Sequence, residues 1–154
     1  MTTPTTSTRT ITTAEPTDRA GGGEAITSAG DTLTVIAWRD PVVEQAPGAV
    51  RTDSDEALVW YTPSVGTIGM AMAHRFARHA TEGPSVWTVE DVARTFGLGT
   101  SAARVLRSLD RLERFGIARR RGGRVVAVRL CLAPLTYRQR CQLPAYLAAA
   151  YDAL

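Results

Sequence analysis

The sequence predicts a mainly α-helical fold with a small β component, an α+β domain. Apolar residues recur at helical spacing in several segments, most of which begin at a short polar residue and end at glycine. Two shorter stretches are rich in β-branched residues and predict strands. The length of 154 residues, of which 44% are hydrophobic, is enough to bury one core.

The N-terminal part combines a tail with a short structured extension. Residues 1–31 are rich in Thr, Gly and Ala and offer little to bury, so we expect a disordered tail. Residues 32–62 form the N-terminal extension. Its β-branched run TLTVIAW predicts a strand over residues 32–38, and a loop is expected over residues 41–51.

The second half of this extension has the form of a capping box. Asp53 lies three residues before Glu56, a spacing that satisfies free backbone N–H groups at the start of a helix. The apolar run that follows predicts a short helix, although LVWYT could also form a strand. Thr62 and Pro63 are expected to end it, because proline lacks the backbone donor.

The main domain is predicted over residues 63–132 and begins with a helix of about four turns. Ser64 can cap this helix, and apolar side chains recur at helical spacing as far as Ala80. A short strand is expected at Val86 and Trp87.

Two further helices are predicted on either side of a glycine turn. The first covers residues 88–96 and ends at the Gly-Leu-Gly turn over 97–99, since glycine adopts the conformation that stops a helix. The second covers residues 101–115 and is capped by Thr100 or Ser101.

The helix over residues 101–115 carries opposite chemistry on its two faces. At about 100° per residue, apolar side chains gather on one face and arginines on the other. The apolar face consists of Ala102, Val105, Leu106, Leu109 and Leu112, and the arginine face consists of Arg104, Arg107, Arg111 and Arg114. Such a face can be solvated surface, with arginines paired to acids such as Asp110, or it can bind phosphates.

A β-hairpin is predicted over residues 117–130, with a two-residue turn at Gly122 and Gly123. The residues that alternate towards the core are Val126, Val128 and Leu130. The tip carries Arg119, Arg120, Arg121 and Arg124 with no acidic residue among them. Because like charges on a tight turn repel one another, we expect this tip to meet a polyanion.

Charge is distributed unevenly along the chain. All 18 basic residues are arginine, and the formal net charge is +3. Residues 1–62 contain four arginines and nine acidic residues, a net charge of −5. Residues 86–141 contain twelve arginines and four acidic residues, a net charge of +8. This basic segment indicates a polyanionic partner.

The run from VEDVARTFGLG through SAARVLRSLDRLERFGIARRRGGRVVAVRL resembles the winged helix-turn-helix superfamily, with the resemblance covering about residues 63–132. The resemblance implies that the helix from Ser101 lies in the DNA major groove and that the hairpin, the wing, contacts the backbone or the adjacent minor groove. The residues in the matching positions are Thr100, Ser101, Ala103, Arg104, Arg107, Ser108, Arg111, Arg119, Arg120, Arg121 and Arg124.

We therefore predict a sequence-specific protein that binds double-stranded DNA, a bacterial transcriptional regulator. Arg104 and Arg107 have the reach to pair with guanine O6 and N7, and Arg107 is favoured for the base contact. The alternative is a winged-helix module that binds another protein, in a replication or mobile-element assembly, without binding DNA. The acidic N-terminal third and the aromatic Trp38, Trp60 and Tyr61 favour that alternative.

The C-terminal segment, residues 133–154, is predicted to be helical. Thr136 can cap one helix, and Pro144 can begin another. An apolar stripe is formed by Leu143, Leu147, Tyr151 and Leu154. This stripe can pack back on the long helix or mediate a homodimer through residues 143–154, and packing back is favoured.

We expect a protein that is not an enzyme and that binds no cofactor or metal, because no catalytic or cofactor motif is recognisable. His74 and His79 are five residues apart, which does not fit a metal pair on one helix face. Cys131 and Cys141 are predicted to be small packed side chains rather than a redox pair. No membrane span or secretory signal is visible, so a cytoplasmic protein is expected.

Overall fold

The computed structural model describes residues 24–154, so most of the predicted tail, residues 1–23, lies outside the described part of the chain. The α+β class predicted from the sequence is confirmed. The helices are α1 (Pro41–Glu44), α2 (Asp55–Val65), α3 (Thr67–Glu82), α4 (Val89–Thr95), α5 (Ala102–Arg114), α6 (Tyr137–Arg140) and α7 (Ala145–Asp152). The strands are β1 (Thr32–Trp38), β2 (Val50–Arg51), β3 (Ser85–Thr88), β4 (Ala118–Arg121), β5 (Val125–Arg129) and β6 (Cys131–Leu132).

A four-stranded sheet in the order β3-β1-β5-β4 forms the centre of the molecule. Strand β1 runs antiparallel to β3 and parallel to β5, and β4 and β5 form an antiparallel hairpin. The strand that we assigned to an N-terminal extension therefore lies inside the sheet, with a hydrogen-bonded neighbour on each side. Strands β2 and β6 pair separately.

The core lies between one face of this sheet and the helices packed on it. Leu33 and Val35 of β1 and Val126 and Val128 of β5 point to the same face and are almost fully buried. Helix α3 packs on both strands and contributes the buried Phe76. The side chains that α5 buries are Val105, Leu109 and Leu112, as its apolar face predicts.

The residues just before β1 are part of the fold. Ile26 is 6% exposed and joins the core. Asp31 accepts hydrogen bonds from the backbone N–H groups of Thr27 and Ser28, at 2.8 and 2.9 Å, and these bonds lower the pKa of its carboxyl. The predicted disordered tail therefore does not extend over residues 24–31.

Helix α2 is longer than predicted. It is capped by Ser54, whose hydroxyl accepts the N–H of Ala57 at 3.2 Å, rather than by Asp53. It also continues through Pro63, which we expected to end it. Proline removes one backbone donor, but the helix buries Trp60 and other apolar side chains, and this tertiary packing holds its last turn.

Gly66 separates α2 from α3, and α3 starts later in the chain than predicted. Its φ of 94° is a conformation that favours glycine, and it ends α2. Helix α3 therefore begins at Thr67, not at Ser64 as predicted. Strand β3, helix α4 and the N-cap of α4 at Thr88 lie where the sequence predicted them.

The predicted loop over residues 41–51 contains two short elements. Asp40 caps the one-turn helix α1 by accepting the backbone N–H groups of Val42 and Val43. Strand β2 then pairs with β6. The pairing of β2 with β6 is long-range, so the sequence pattern of the segment alone did not predict it. The Asp40 cap followed by Pro41 is a local signal that we did not assign to a helix.

The hairpin turn is one residue longer than predicted. Arg121 pairs with Val125, so Gly122, Gly123 and Arg124 connect the strands, and of the three only Gly122 has a positive φ, at 65°. The carbonyl of Arg124 accepts the N–H of Thr34 in β1 at 2.8 Å, which joins the end of the turn to β1. The inward alternation predicted for β5 is present, and Ala127 is also buried.

The C-terminal stripe packs on α2 rather than on α5. Leu143 is buried, and Tyr151 packs edge-on against Trp60 with 5.4 Å between the ring centroids. Leu154 is exposed. Thr136 and Pro144 begin α6 and α7 as predicted.

The two cysteines have different environments, and both are free thiols. Cys131 is half-buried, and burial raises the pKa of its thiol. Cys141 is exposed, so the prediction that it is a packed side chain is wrong. No helix among residues 24–154 is long and apolar enough to cross a membrane.

Candidate nucleic-acid interface

Helix α5 presents its polar face to solvent because its apolar face is fixed on α3 and α4. Ser101 caps the helix, with its hydroxyl accepting the N–H of Arg104 at 3.4 Å. Thr100, Arg104 and Arg107 are exposed on this end of the helix. Ser108 is half-buried, and its hydroxyl donates to the carbonyl of Arg104 at 3.1 Å. The N-terminal half of α5 thus offers two arginines to solvent.

Arg111 belongs to the same stripe but turns back onto the end of α2. Its Nη2 donates to the carbonyl of Ser64 at 3.0 Å, and its Nε donates to the carbonyl of Val65. Its guanidinium carbon also lies 5.7 Å from the ring centroid of Phe115. Because the last carbonyls of a helix lack partners within it, Arg111 satisfies the end of α2 and fixes it to α5.

An open groove of about 650 Å³ separates the start of α3 from the arginine face of α5. Arg107, Arg111 and Arg114 line its α5 side, and residues 65–69 line the other side. The groove carries one acidic residue, Asp110, among its lining. The arginine face is therefore a concave basic surface rather than a flat one.

The hairpin is attached to α5 through Arg120. Its Nε and Nη2 lie 2.9 and 2.6 Å from Glu113 Oε2, its backbone N–H donates to Glu113 Oε1 at 2.6 Å, and its Nη2 also contacts Asp110. Burial opposes ionisation of Glu113, but the hydrogen bonds from Arg120 outweigh it and lower the pKa of the carboxyl. Arg120 thus joins hairpin and helix.

Arg124 is held on the other side of the hairpin. Its Nη2 lies 3.1 Å from Asp31 Oδ1, and its Nε donates to the carbonyl of Glu24 at 3.2 Å. The sequence has no acid among the arginines of the tip, but in the structure Arg120 and Arg124 are paired with carboxylates from outside it. Their carboxylates come from other elements. Glu113 of α5 lies 7 residues before Arg120, and Asp31 lies 93 residues before Arg124.

Arg119 is exposed and lies against an aromatic side chain that sequence reasoning did not associate with it. Its guanidinium carbon is 4.5 Å from the ring centroid of Trp38, and that of Arg129 is 3.9 Å from the same ring. Arg129 is also paired with Asp40, with 2.6 Å between Nη1 and Oδ2. The parallel pairing of β1 with β5 creates this arrangement, because it places Trp38 opposite Arg129.

The predicted site arginines thus fall into two groups. Arg111, Arg120 and Arg124 are bonded to carbonyls or carboxylates and hold α2, α5, the hairpin and the segment before β1 together. The others form no ion pair with any of residues 24–154, and they are Arg104, Arg107, Arg119 and Arg121. The second group is available to a polyanion.

The contact between Arg120 and Glu113 has a testable pH dependence. We expect Glu113→Gln to cost about 0.5–1 kcal/mol of unfolding free energy at neutral pH, because it removes one charge of a pair whose side chains are 30% and 29% exposed. A lowered carboxyl pKa means that this contribution is present above the ordinary carboxyl range and is lost as the pH falls through the lowered pKa. Urea unfolding of both proteins along a pH series measures the difference.

The matched control is Glu82→Gln at the exposed end of α3, which is expected to stay within about 0.5 kcal/mol of the parent. The role of Glu113 would be contradicted if its variant and the control differed from the parent by the same amount at every pH.

Comparisons with protein-family models, with curated protein sequences and with solved structures gave no match to this chain.

Proposed function

We propose that this protein binds double-stranded DNA in the manner of a winged helix-turn-helix protein, with α5 in the major groove and the β4–β5 hairpin against the backbone or the minor groove. One observation carries the proposal. The exposed face of α5 presents Arg104 and Arg107, which form no ion pair with residues 24–154, beside a hairpin that Arg120 attaches to the same helix. The element order from α3 to β5 supports it.

The proposal divides the roles of the site residues. Arg104 and Arg107 project from the first two turns of α5, where guanidinium forks can pair with guanine O6 and N7. Thr100 and Ser101 lie beside them as hydroxyl donors for phosphates or bridging waters, whereas the O–H of Ser108 is already donated to the carbonyl of Arg104. Arg119 and Arg121 supply affinity that does not depend on sequence.

Three arginines act as positioning residues in this proposal. Arg111 fixes α2 to α5, Arg120 fixes the hairpin to α5, and Arg124 fixes the hairpin to the segment before β1. A surface that contacts DNA must keep its helix and hairpin in a defined relative position, because a displacement of about 1 Å is enough to break a bidentate contact. The bonds made by these three arginines hold the helix and the hairpin in that relative position.

The alternative, a module that binds another protein, gains no support from the aromatic residues that suggested it. Trp60 and Tyr61 are buried, and Trp38 lies under two guanidinium groups. They do not form an exposed aromatic patch. Regulation of transcription in a bacterium, and a homodimer through residues 143–154, stay predictions from the sequence.

Salt dependence tests the proposal directly. If the four available arginines displace counterions from duplex DNA, a plot of log Kobs against log salt concentration should fall with a slope of roughly −3 to −4. Fluorescence anisotropy with a labelled random duplex across a salt series measures it. The variant Arg121→Ala should reduce the slope by about 1.

A protein that fails to bind random duplex and heparin at low salt, or whose affinity does not change with salt, would rule the proposal out. The alternative module would then be the better interpretation.

A further inference from the structure

A second concave surface lies away from Arg104 and Arg107, the arginines on the first two turns of α5. It is a cavity of about 400 Å³ between α2, the end of α5 and α6, a volume at the low end of the range for small-molecule sites. Its apolar lining includes Tyr61, Phe115, Ile117 and Leu132. These side chains provide a surface for an apolar group.

The polar lining of the cavity is strongly basic. Arg114, Arg129 and Arg138 line it, and among the described residues no Asp or Glu does so. Arg129 is already bonded to Asp40 and to the carbonyl of Gly116. The other two arginines form no ion pair with residues 24–154. The cavity therefore combines two uncompensated cations with an apolar wall.

The remaining polar groups do not oppose an anion. The Tyr61 hydroxyl donates to the carbonyl of Ala133, and burial raises the pKa of Tyr61, so the phenol stays neutral. Gln139 accepts the N–H of Thr136 at 2.9 Å through Oε1, which leaves its amide N–H groups to donate. None of these groups carries a negative charge, and the guanidinium groups and the Gln139 amide can donate to an anion.

We propose that this cavity binds a small organic carboxylate with an apolar body, the carboxylate paired with Arg114 and Arg138 and the body against Phe115. A carboxylate matches the planar fork of arginine and forms charge-assisted hydrogen bonds with it. An inorganic anion would gain nothing from the apolar wall, and an uncharged ligand would gain no charge-assisted hydrogen bond from the two exposed guanidinium groups.

The test is titration of the full chain, without DNA, with three carboxylates of different body: benzoate, phenylacetate and octanoate. Isothermal calorimetry gives the affinity, and amide NMR spectra locate the site. We expect saturable binding of at least one carboxylate, with shifts at residues 115–117. The corresponding primary amide should bind at least about 10-fold more weakly, and so should inorganic phosphate.

Two arginine variants separate this site from general anion attraction. Arg138→Gln should weaken the carboxylate at least about 10-fold, because it removes one partner and keeps a polar side chain. The matched control, Arg78→Gln on the exposed side of α3, removes the same charge outside the cavity and should leave the affinity unchanged.

The proposal is overturned if none of the three carboxylates binds in a saturable way below about 10 mM, if acid and amide bind equally, or if Arg78→Gln weakens binding as much as Arg138→Gln. Since no DNA is present, these outcomes are independent of the proposed function.

Discussion

A variant in which Arg104 and Arg107 are both replaced by alanine is expected to bind its preferred duplex at least about 30-fold more weakly than the parent protein. Each guanidinium that pairs with a base edge contributes about 1–3 kcal/mol of discrimination, and each 1.4 kcal/mol is a factor of ten in affinity. Both side chains are exposed, and alanine favours helices, so the fold should not change. Selection of duplexes from a random library, followed by anisotropy, measures the loss.

The control for this variant removes the same charge elsewhere. Arg75 and Arg78 are exposed on α3 and line neither the groove nor the cavity. Their double alanine variant should keep the sequence preference of the parent and lose only a small part of its affinity, through net charge. If the two double variants lost affinity equally, and selected the same duplexes, α5 would not be the element that recognises bases.

Local signals predicted α4, α5 and α6 well. Thr88, Ser101 and Thr136 each cap a helix through a side-chain oxygen, and Gly97 and Gly116 follow helix ends with φ near 70°. These features act over three or four residues, so they can be recognised in a sequence. The burial of one face of α5 follows from the same short-range periodicity.

Contacts between distant segments could not be predicted in this way. The insertion of β1 between β3 and β5 joins residues about 50 and 90 positions apart, and no local pattern specifies which strand fills that position. The Asp31 carboxylate that pairs with Arg124 comes from a segment 93 residues earlier, and Glu113, which pairs with Arg120, lies outside the hairpin on α5. Counting acids near the hairpin in sequence therefore overstated the free positive charge at its tip.

The ion pairs of the structure change how much free positive charge the candidate interface carries. Half of the arginine cluster at the hairpin tip is neutralised internally, and its ion pairs fix the hairpin between α5 and the segment before β1. Fewer arginines are available than the sequence predicted, but the ion pairs hold them on a more rigid surface. Under the proposed function, fewer phosphate contacts mean a shallower salt dependence, and fixed positions favour recognition of base edges over general attraction.

Because β1 lies inside the sheet, shortening one of its core side chains should lower the stability of the whole domain. Leu33→Ala is expected to lower the unfolding free energy by about 2–5 kcal/mol, because Leu33 is completely buried and a smaller side chain leaves a cavity in the core. A folded domain of this size has about 5–15 kcal/mol in total, so the variant would lose a large part of its stability. Urea unfolding followed by circular dichroism measures the change.

Thr34→Ala is the matched control on the same strand. Its side chain points to the opposite, half-exposed face of the sheet, so its cost should stay below about 1 kcal/mol. If β1 were only an accessory strand, Leu33→Ala would resemble this control and the helices would unfold at the parent's urea concentration. A large difference between neighbouring residues would instead mean that the strand before Pro41 and the helices after it unfold as one unit, because Leu33 packs in the same core as Phe76 and Leu109.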